Sequence, residues 1–313
     1  MRLAIMGAGA VGRSVADLAP EYGHDVVAIA DSSGAVVDGD GVDVPDAFET
    51  KAETGTIGPA APDEALDASY DVLVEATPTT LGDAEPGFGN LAAALERDRH
   101  VVLANKGPIA DRYDDVMALA ADSDGDVRFE ATVGGAIPAI ATIEGVGPSS
   151  VTALRGVLNG TANFILTRMA KEGLSYEHVL AEAQDLGVAE ADPSFDVEGT
   201  DAALKGTIVA NVLDGGGYTL ADATVEGITD LPTSALDLAA EDGRTIRLIV
   251  EVTDAGVRVG PRLVPEHATL AVTGTMNIVQ LETEHAGRLN VSGRGAGGPE
   301  TASAVLADVD RLR

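Results

Sequence analysis

Five mostly apolar residues, a glycine-rich turn and an amphipathic helix open this chain, and few folds accept that succession. Residues 2–6 (RLAIM) read as a buried strand, and GAGAVGRSVADLAPEYG (7–23) reads as a tight loop and a helix ending near Gly23. Gly7, Gly9 and Gly12 set the spacing G-x-G-x-x-G between the two. Gly7 allows the tight turn, Gly9 lets the backbone approach a pyrophosphate, and Gly12 lets helix and strand pack closely. The helix start at Ala10 and Val11 adds free N–H groups and a partial positive charge for phosphates. HDVVAIAD then forms a second strand ending on Asp31, about twenty positions after the loop. A carboxylate there accepts the ribose 2′ and 3′ hydroxyls and repels a 2′-phosphate. The implied ligand is NAD or NADP. Asp31, with no arginine after it, favours NAD, while Lys51 can swing in to meet a phosphate.

The alternation continues. YDVLVEAT (70–77), HVVLANK (100–106) and VRFEATV (127–133) read as further strands, with helices at about 89–97 and in DRYDDVMALAADS (111–123). Strands alternating with helices imply a parallel sheet covered on both faces and joined by right-handed crossovers. The fold class is therefore α/β, a Rossmann-type doubly wound parallel sheet. Residues 32–62 are rich in Gly, Asp and Pro and read as a long loop with one short helix around Pro45–Glu53.

The pattern changes after Gly134. GAIPAIATIEGV reads as a bridging helix, 151–158 as a strand, and 160–172 as a helix. EHVLAEAQDLG and GTDAALKGTIVANVLD read as two more helices. RTIRLIVEVT, GVRVGPRLV and ATLAVTG, between Arg244 and Gln280, alternate like an antiparallel sheet, and GGPETASAVLADVDRL closes as a helix. Residues 1–134 with 294–313 are thus expected to form a dinucleotide-binding domain. Residues 135–293 are expected to form a second α+β catalytic and dimerisation domain, whose sheet pairs across a two-fold axis in a homodimer.

Composition removes several alternatives. The chain has no cysteine, which excludes disulfides, thiolate metal sites and thioester-forming nucleophiles. With 51 acidic against 20 basic residues the net charge is −31, so nucleic acid is not the expected partner. Its lysines are Lys51, Lys106, Lys171 and Lys205 alone. This is the surface of a salt-adapted protein: self-repulsion is relieved when the screening length falls to about 3 Å at 1 M salt. No apolar run approaches the ~18 residues of a membrane span, and the start does not read as a signal peptide, so a cytoplasmic location is expected.

A dehydrogenase needs a group that moves a proton as hydride reaches a carbonyl. The five histidines are scattered and read as surface or loop residues. Lys106, in LANKGPIA, lies just past the fourth strand, where open α/β sheets bind ligands. Lys205 lies on a helix with Asp201 at i−4, and Glu190, Asp192, Asp196 and Glu198 lie upstream. By itself that pattern reads as an exposed ion pair on a solvated helix. Thr77 and Pro78 end the third strand and line a nicotinamide pocket.

VVLANKGPIA, EATVGGAIP, LNGTANFILT, GVAEADPSFDVEGTDAALK and GRGAGGPETASAVLADV, in that order and spacing, resemble homoserine dehydrogenase. The resemblance covers nearly the whole chain. It implies hydride transfer from the nicotinamide C4 to L-aspartate 4-semialdehyde, giving L-homoserine. It implies that Lys205 donates and accepts the proton and that Lys106 touches both substrate and nicotinamide. Two lysines converging on one site lower each other's pKa. Glu190, Asp196 and Asp201 are implied to hold the substrate's ammonium and hydroxyl ends, with Gly160 and Thr161 as further substrate contacts. Ala104, Asn105 and Gly187 are implied to touch the cofactor. Gly295 and Gly297 resemble the segment that returns to the nucleotide domain and covers it. Glu130 and the carbonyls of Val133, Gly135 and Ile137 match a site for sodium or potassium, an oxygen set suited to a hard ion. The chain ends after its last helix, so the regulatory domain that some family members carry is not expected, nor direct inhibition by threonine through it. A related amino-acid dehydrogenase and a non-catalytic dinucleotide sensor are the alternatives, and the two lysines among matched carboxylates argue against both.

Overall fold

In the computed structural model, which describes residues 1–312, the chain divides into two compact units. One is Met1–Ala136 together with the stretch from Ala296, and the other is Ile137–Gly295.

The first unit is built on β1 (Arg2–Met6), α1 (Ala10–Leu18), β2 (Asp25–Asp31), β3 (Gly34–Val37), α2 (Val44–Thr54), β4 (Val72–Glu75), α3 (Gly87–Leu95), β5 (His100–Leu103), α4 (Gly107–Asp111), α5 (Tyr113–Ala121), β6 (Val127–Arg128) and α6 (Ala131–Gly134). Its sheet runs β3-β2-β1-β4-β5-β6. Strand order reverses between β1 and β4, which is where such sheets bind ligands. Leu3, Ala4 and Ile5 are all fully buried, as are Val72, Leu73 and Val74. Strands covered on both faces have no polar side to alternate with, hence their continuous apolar runs. Register pairs Met6 with Glu75 and Glu75 with Leu103. The loops carrying Gly7, Thr77 and Lys106 therefore leave the sheet at one end.

Two expectations fail here. The 32–62 stretch is not only loop and helix: Gly34–Val37 forms an edge strand antiparallel to β2. Asp31 accepts hydrogen bonds from the Ser33 amide and hydroxyl, which closes a turn too short to show as a separate signal. The fifth strand, read over 127–133, stops at Arg128. Glu130 N donates to the Asp308 carboxylate at 2.8 Å, and Thr132 donates through N and Oγ1 to Phe129 O, so the chain winds into α6 instead.

The second unit contains α7 (Ala139–Val146), β7 (Val151–Val157), α8 (Gly160–Glu172), α9 (Tyr176–Asp185), α10 (Ser194–Val197), α11 (Thr200–Asp214), β8 (Thr224–Val225), α12 (Thr233–Glu241), β9 (Arg244–Thr253), β10 (Gly256–Pro265), β11 (Met276–Thr283) and β12 (Gly287–Arg294). Its sheet, β12-β11-β7-β9-β10-β8, is antiparallel except for the β8–β10 edge. Helices α8, α11 and α12 pack against it. Gly206 brings α11 flat onto the sheet: a Cβ there would sit 2.8 Å from side-chain carbons of Val250 and Val257. Every residue from Asp201 to Asn211 is consequently buried. Residues 268–274, expected as a strand, form a loop whose Ala268, Leu270, Ala271 and Val272 cover a cluster of Val157, Ile249, Val264 and Ile278. Their apolar spacing serves that cover and makes no ladder. Arg247 helps to pin the loop by donating from Nε to Val272 O at 2.8 Å, and burial lowers its pKa to about 10. The hairpin β11–β12 lies mostly beyond the stretch read as sheet.

The chain then returns to the first unit as α13 (Gly298–Arg311), which packs along α1. Among the described residues no helix is long and apolar enough to cross a membrane.

Candidate active site

The nucleotide turn is made of backbone. Gly7 has φ +115°, and a Cβ on it would lie 2.3 Å from Ala76 O. A Cβ on Gly12 would lie 1.7 Å from Gly7 O. Gly9 differs, since no heavy atom lies within 4 Å of its Cβ position, so that side of the turn is open. Gly9 is the N-cap of α1 and no side chain caps the helix. The first-turn amides at Ala10, Val11 and Gly12 are left facing outward, which fits a diphosphate. Asp31 is ion-paired with Lys51. Burial raises its pKa, but the bonds from Lys51 and Ser33 outweigh that and hold it below the ordinary carboxylate value.

Glu75, which sequence reasoning missed, organises the neighbouring loops. It is fully buried at the end of β4. Its Oε1 accepts from Thr77 N at 2.9 Å, from the Thr77 hydroxyl, and from Asn105 Nδ2 at 3.3 Å, while Oε2 accepts from Asn90 Nδ2 at 2.8 Å. Asn105 Nδ2 also reaches Pro78 O at 3.4 Å, and its Oδ1 accepts from Gly107 N at 3.0 Å. The anticipated residues Thr77, Pro78 and Asn105 thus share one hydrogen-bonded support, while Ala104 N donates to Glu75 O at 2.9 Å and Lys106 N to Thr79 Oγ1 at 3.4 Å. Burial pushes Glu75 above the usual carboxylate value despite these donors. A lone carboxylate inside an apolar strand was the available sequence signal.

In the second unit the lysine and the carboxylates meet. Lys205 is only 7% exposed, not a solvated surface lysine. Its Nζ donates to Leu158 O and to Asp201 Oδ2, each at 2.6 Å. The third ammonium hydrogen has no acceptor among the described residues. The exposed-ion-pair reading fails because α11 is buried all round. Asn159 Nδ2 donates to Asp196 Oδ1 at 2.6 Å and to Asp201 Oδ2 at 2.9 Å. Burial raises the Asp196 pKa, opposed by the Asn159 bond and Lys205 and assisted by Asp201. Gly160 and Thr161 begin α8 beside this group, and the Thr161 hydroxyl donates to Val188 O at 3.0 Å. Glu190 is not brought in: it is exposed, and only its main-chain carbonyl is engaged, by Gln184 Nε2. Gly187 is an exposed left-handed residue after α9. Gly295 lies in the second unit, pressed on Asn277, and Gly297 is the N-cap of α13 in the first.

The remaining anticipated residues divide between the units. Glu130, Val133 and Gly135 lie in the first and Ile137 opens the second. Glu130 is buried, with its carboxylate 3.7 Å from Arg311. Among the described residues no group of three His, Cys, Asp or Glu side chains could hold a metal ion. One histidine departs from expectation: His24 is buried, 3.3 Å from the Met1 amine and 3.2 Å from Asp310.

An uncapped helix start on an open turn in one unit, and a buried lysine among carboxylates in the other, fit an NAD(P)-dependent oxidoreductase acting on a CH–OH group. Residues 138–309 match the homoserine dehydrogenase family model, and the homoserine dehydrogenase of Methanocaldococcus jannaschii is 41% identical over 99% of this chain and 97% of its own length. The chain belongs to the homoserine dehydrogenase family. The NAD(+)-dependent homoserine dehydrogenase of Pseudomonas canavaninivorans is 34% identical, covering 98% of this chain and 95% of that one. The crystal structure of a putative homoserine dehydrogenase from Archaeoglobus fulgidus aligns with a TM-score of 0.92 at 41% identity, over 99% of this chain and 98% of that chain. Residues 1–81 also match the model of glutamate/leucine/phenylalanine/valine dehydrogenases.

Proposed function

We propose that Lys205 is the proton donor and acceptor in the interconversion of L-aspartate 4-semialdehyde and L-homoserine. The observation that carries this is its third ammonium hydrogen, left without an acceptor while Leu158 O and Asp201 fix the other two at 2.6 Å. A bound nicotinamide dinucleotide supplies or takes the hydride. As the carbonyl oxygen becomes an alkoxide, Lys205 stabilises it by charge and then gives up the proton. In the reverse direction the neutral lysine takes the hydroxyl proton. Asp201 compensates the buried ammonium, which would be costly to bury alone. Asp196 suits the substrate's ammonium group, and the first-turn amides at Gly160 and Thr161 suit its carboxylate. Lys106 is assigned to substrate and nicotinamide contact.

The first unit is assigned to dinucleotide binding, with Gly187, Gly295 and Gly297 as further cofactor contacts. The second unit is assigned to catalysis and dimerisation. Asp31 selects NAD through the ribose hydroxyls, and Lys51, beside it, gives NADP a partner for its 2′-phosphate. A sodium or potassium ion is assigned to Glu130 and the carbonyls of Val133 and Gly135, a hard-oxygen set. The enzyme is assigned to the cytoplasm of a salt-adapted cell, as a homodimer, on the strength of its charge of −31 and the exposed edge strand β12.

The test is a steady-state assay with homoserine at high salt, with each dinucleotide. Oxidation with NAD, and a fall of about 10²–10⁴-fold in kcat for Lys205→Ala at unchanged dinucleotide affinity, is the expected outcome. Turnover by Lys205→Ala at the wild-type rate overturns the assignment.

A further inference from the structure

We infer that Asn159 is a positioning residue for this reaction, a single amide that holds Asp196 and Asp201 together and, through Asp201, fixes the Lys205 ammonium. The inference rests on the assignment of Lys205 above. Asn159 links β7 to α8 and is 4% exposed. Its Oδ1 accepts from Ala162 N at 2.8 Å and so caps α8. That bond decides which end of the amide is oxygen. The other end must then be the NH2 group, as it has to be where it faces two carboxylate oxygens. The two contacts, 2.6 Å to Asp196 and 2.9 Å to Asp201, supply two charge-assisted bonds from one nitrogen. Asp201 Oδ2 is shared between this amide and Lys205 Nζ.

Three consequences follow. A buried and a half-buried carboxylate repel, and the donor from Asn159 to each offsets that repulsion. Asp196 shows the balance: burial pushes it up, Asp201 pushes it further, and Asn159, Lys205 and the Thr161 hydroxyl pull it down. Fixing the Asp201 oxygen that Lys205 also bonds restricts where Nζ can rest. Capping α8 with the same residue ties both carboxylates to the helix start that carries Gly160 and Thr161.

Serine and aspartate at this position separate the cap from the bridge, since both are good N-caps and neither carries an amide. Asn159→Ser is expected to keep the thermal midpoint within a few degrees and the dinucleotide affinity within about twofold. Its kcat/KM for homoserine should fall about tenfold or more, and the acidic limb of the profile should move to higher pH. Asn159→Asp puts a third carboxylate against the other two. Its activity relative to wild type should rise as pH falls, because the introduced carboxyl, once protonated, regains one donor. The serine variant's relative activity should instead fall with pH. A serine variant with wild-type kcat/KM and pH profile, beside an inactive Lys205→Ala, overturns this inference and leaves the assignment of Lys205 standing. A lowered thermal midpoint with unchanged kinetics also overturns it, since that reports a cap alone. Should the serine variant fail to fold, the sign of the aspartate variant's pH response decides. An active Lys205→Ala removes the assignment beneath it.

Discussion

The nucleotide turn of the first unit draws Gly7, Gly9 and Gly12 from one short loop and presents only backbone. The polar cluster of the second unit draws its partners from positions 37, 42 and 47 residues apart and presents only side chains and one carbonyl. The turn depends on where no side chain fits. The cluster depends on each buried charge meeting its counterpart. One should therefore fail by collision and the other by uncompensated charge.

The largest expected effect breaks the turn. Gly12→Val puts carbon where Gly7 O already lies, and should cost about 4 kcal/mol or more, read as loss of the cooperative thermal transition of the first unit. In the cluster, Asp201→Asn leaves the Lys205 ammonium buried without its carboxylate, a loss of about 3–5 kcal/mol. Its sign is checkable. Burial without a counter-charge depresses the folded pKa of a lysine, so the unfolded state binds more protons and stability should climb as pH rises. A thermal midpoint that falls over the same range would refute the electrostatic account. Smaller again is Gly9→Ala. Its Cβ meets nothing, so the fold should hold within about 1 kcal/mol while dinucleotide affinity drops by about tenfold. The smallest effect concerns Lys51→Ala, which should raise the NAD-to-NADP ratio of kcat/KM by about three- to tenfold by removing a cation that a 2′-phosphate can use. An unchanged ratio would take Lys51 out of cofactor selection.

The same contrast explains what could be read in advance. The turn is local, so its glycine spacing, the strand before it and the helix after it were all visible in the sequence. The burial of Lys205 was not. Its carboxylate neighbours fall at helical spacing on a surface-like pattern, and only the packing of Gly206 against Val250 and Val257 reveals that α11 is interior. Asn159 was missed, although an asparagine ahead of a helix start is a cap signal. Its second task was invisible, because Asp196 and Asp201 reach it only through the fold. Residues 268–274 show the reverse error. Their alternation was real, but its cause was a hydrophobic patch beneath a loop and not a neighbouring strand.

Helix α13 carries one more implication, for how the molecule is made. Its Ala302, Val305, Leu306 and Val309 share a core cluster with Val15 and Ala16 of α1, the helix that bears the nucleotide turn. During synthesis the amino-terminal strands and helices leave the ribosome first, yet this flank of α1 stays uncovered until the whole second unit has been translated. The nascent chain must carry an exposed apolar stripe on α1 until α13 has been made. The dinucleotide-binding unit is therefore begun before the second unit and completed only after it.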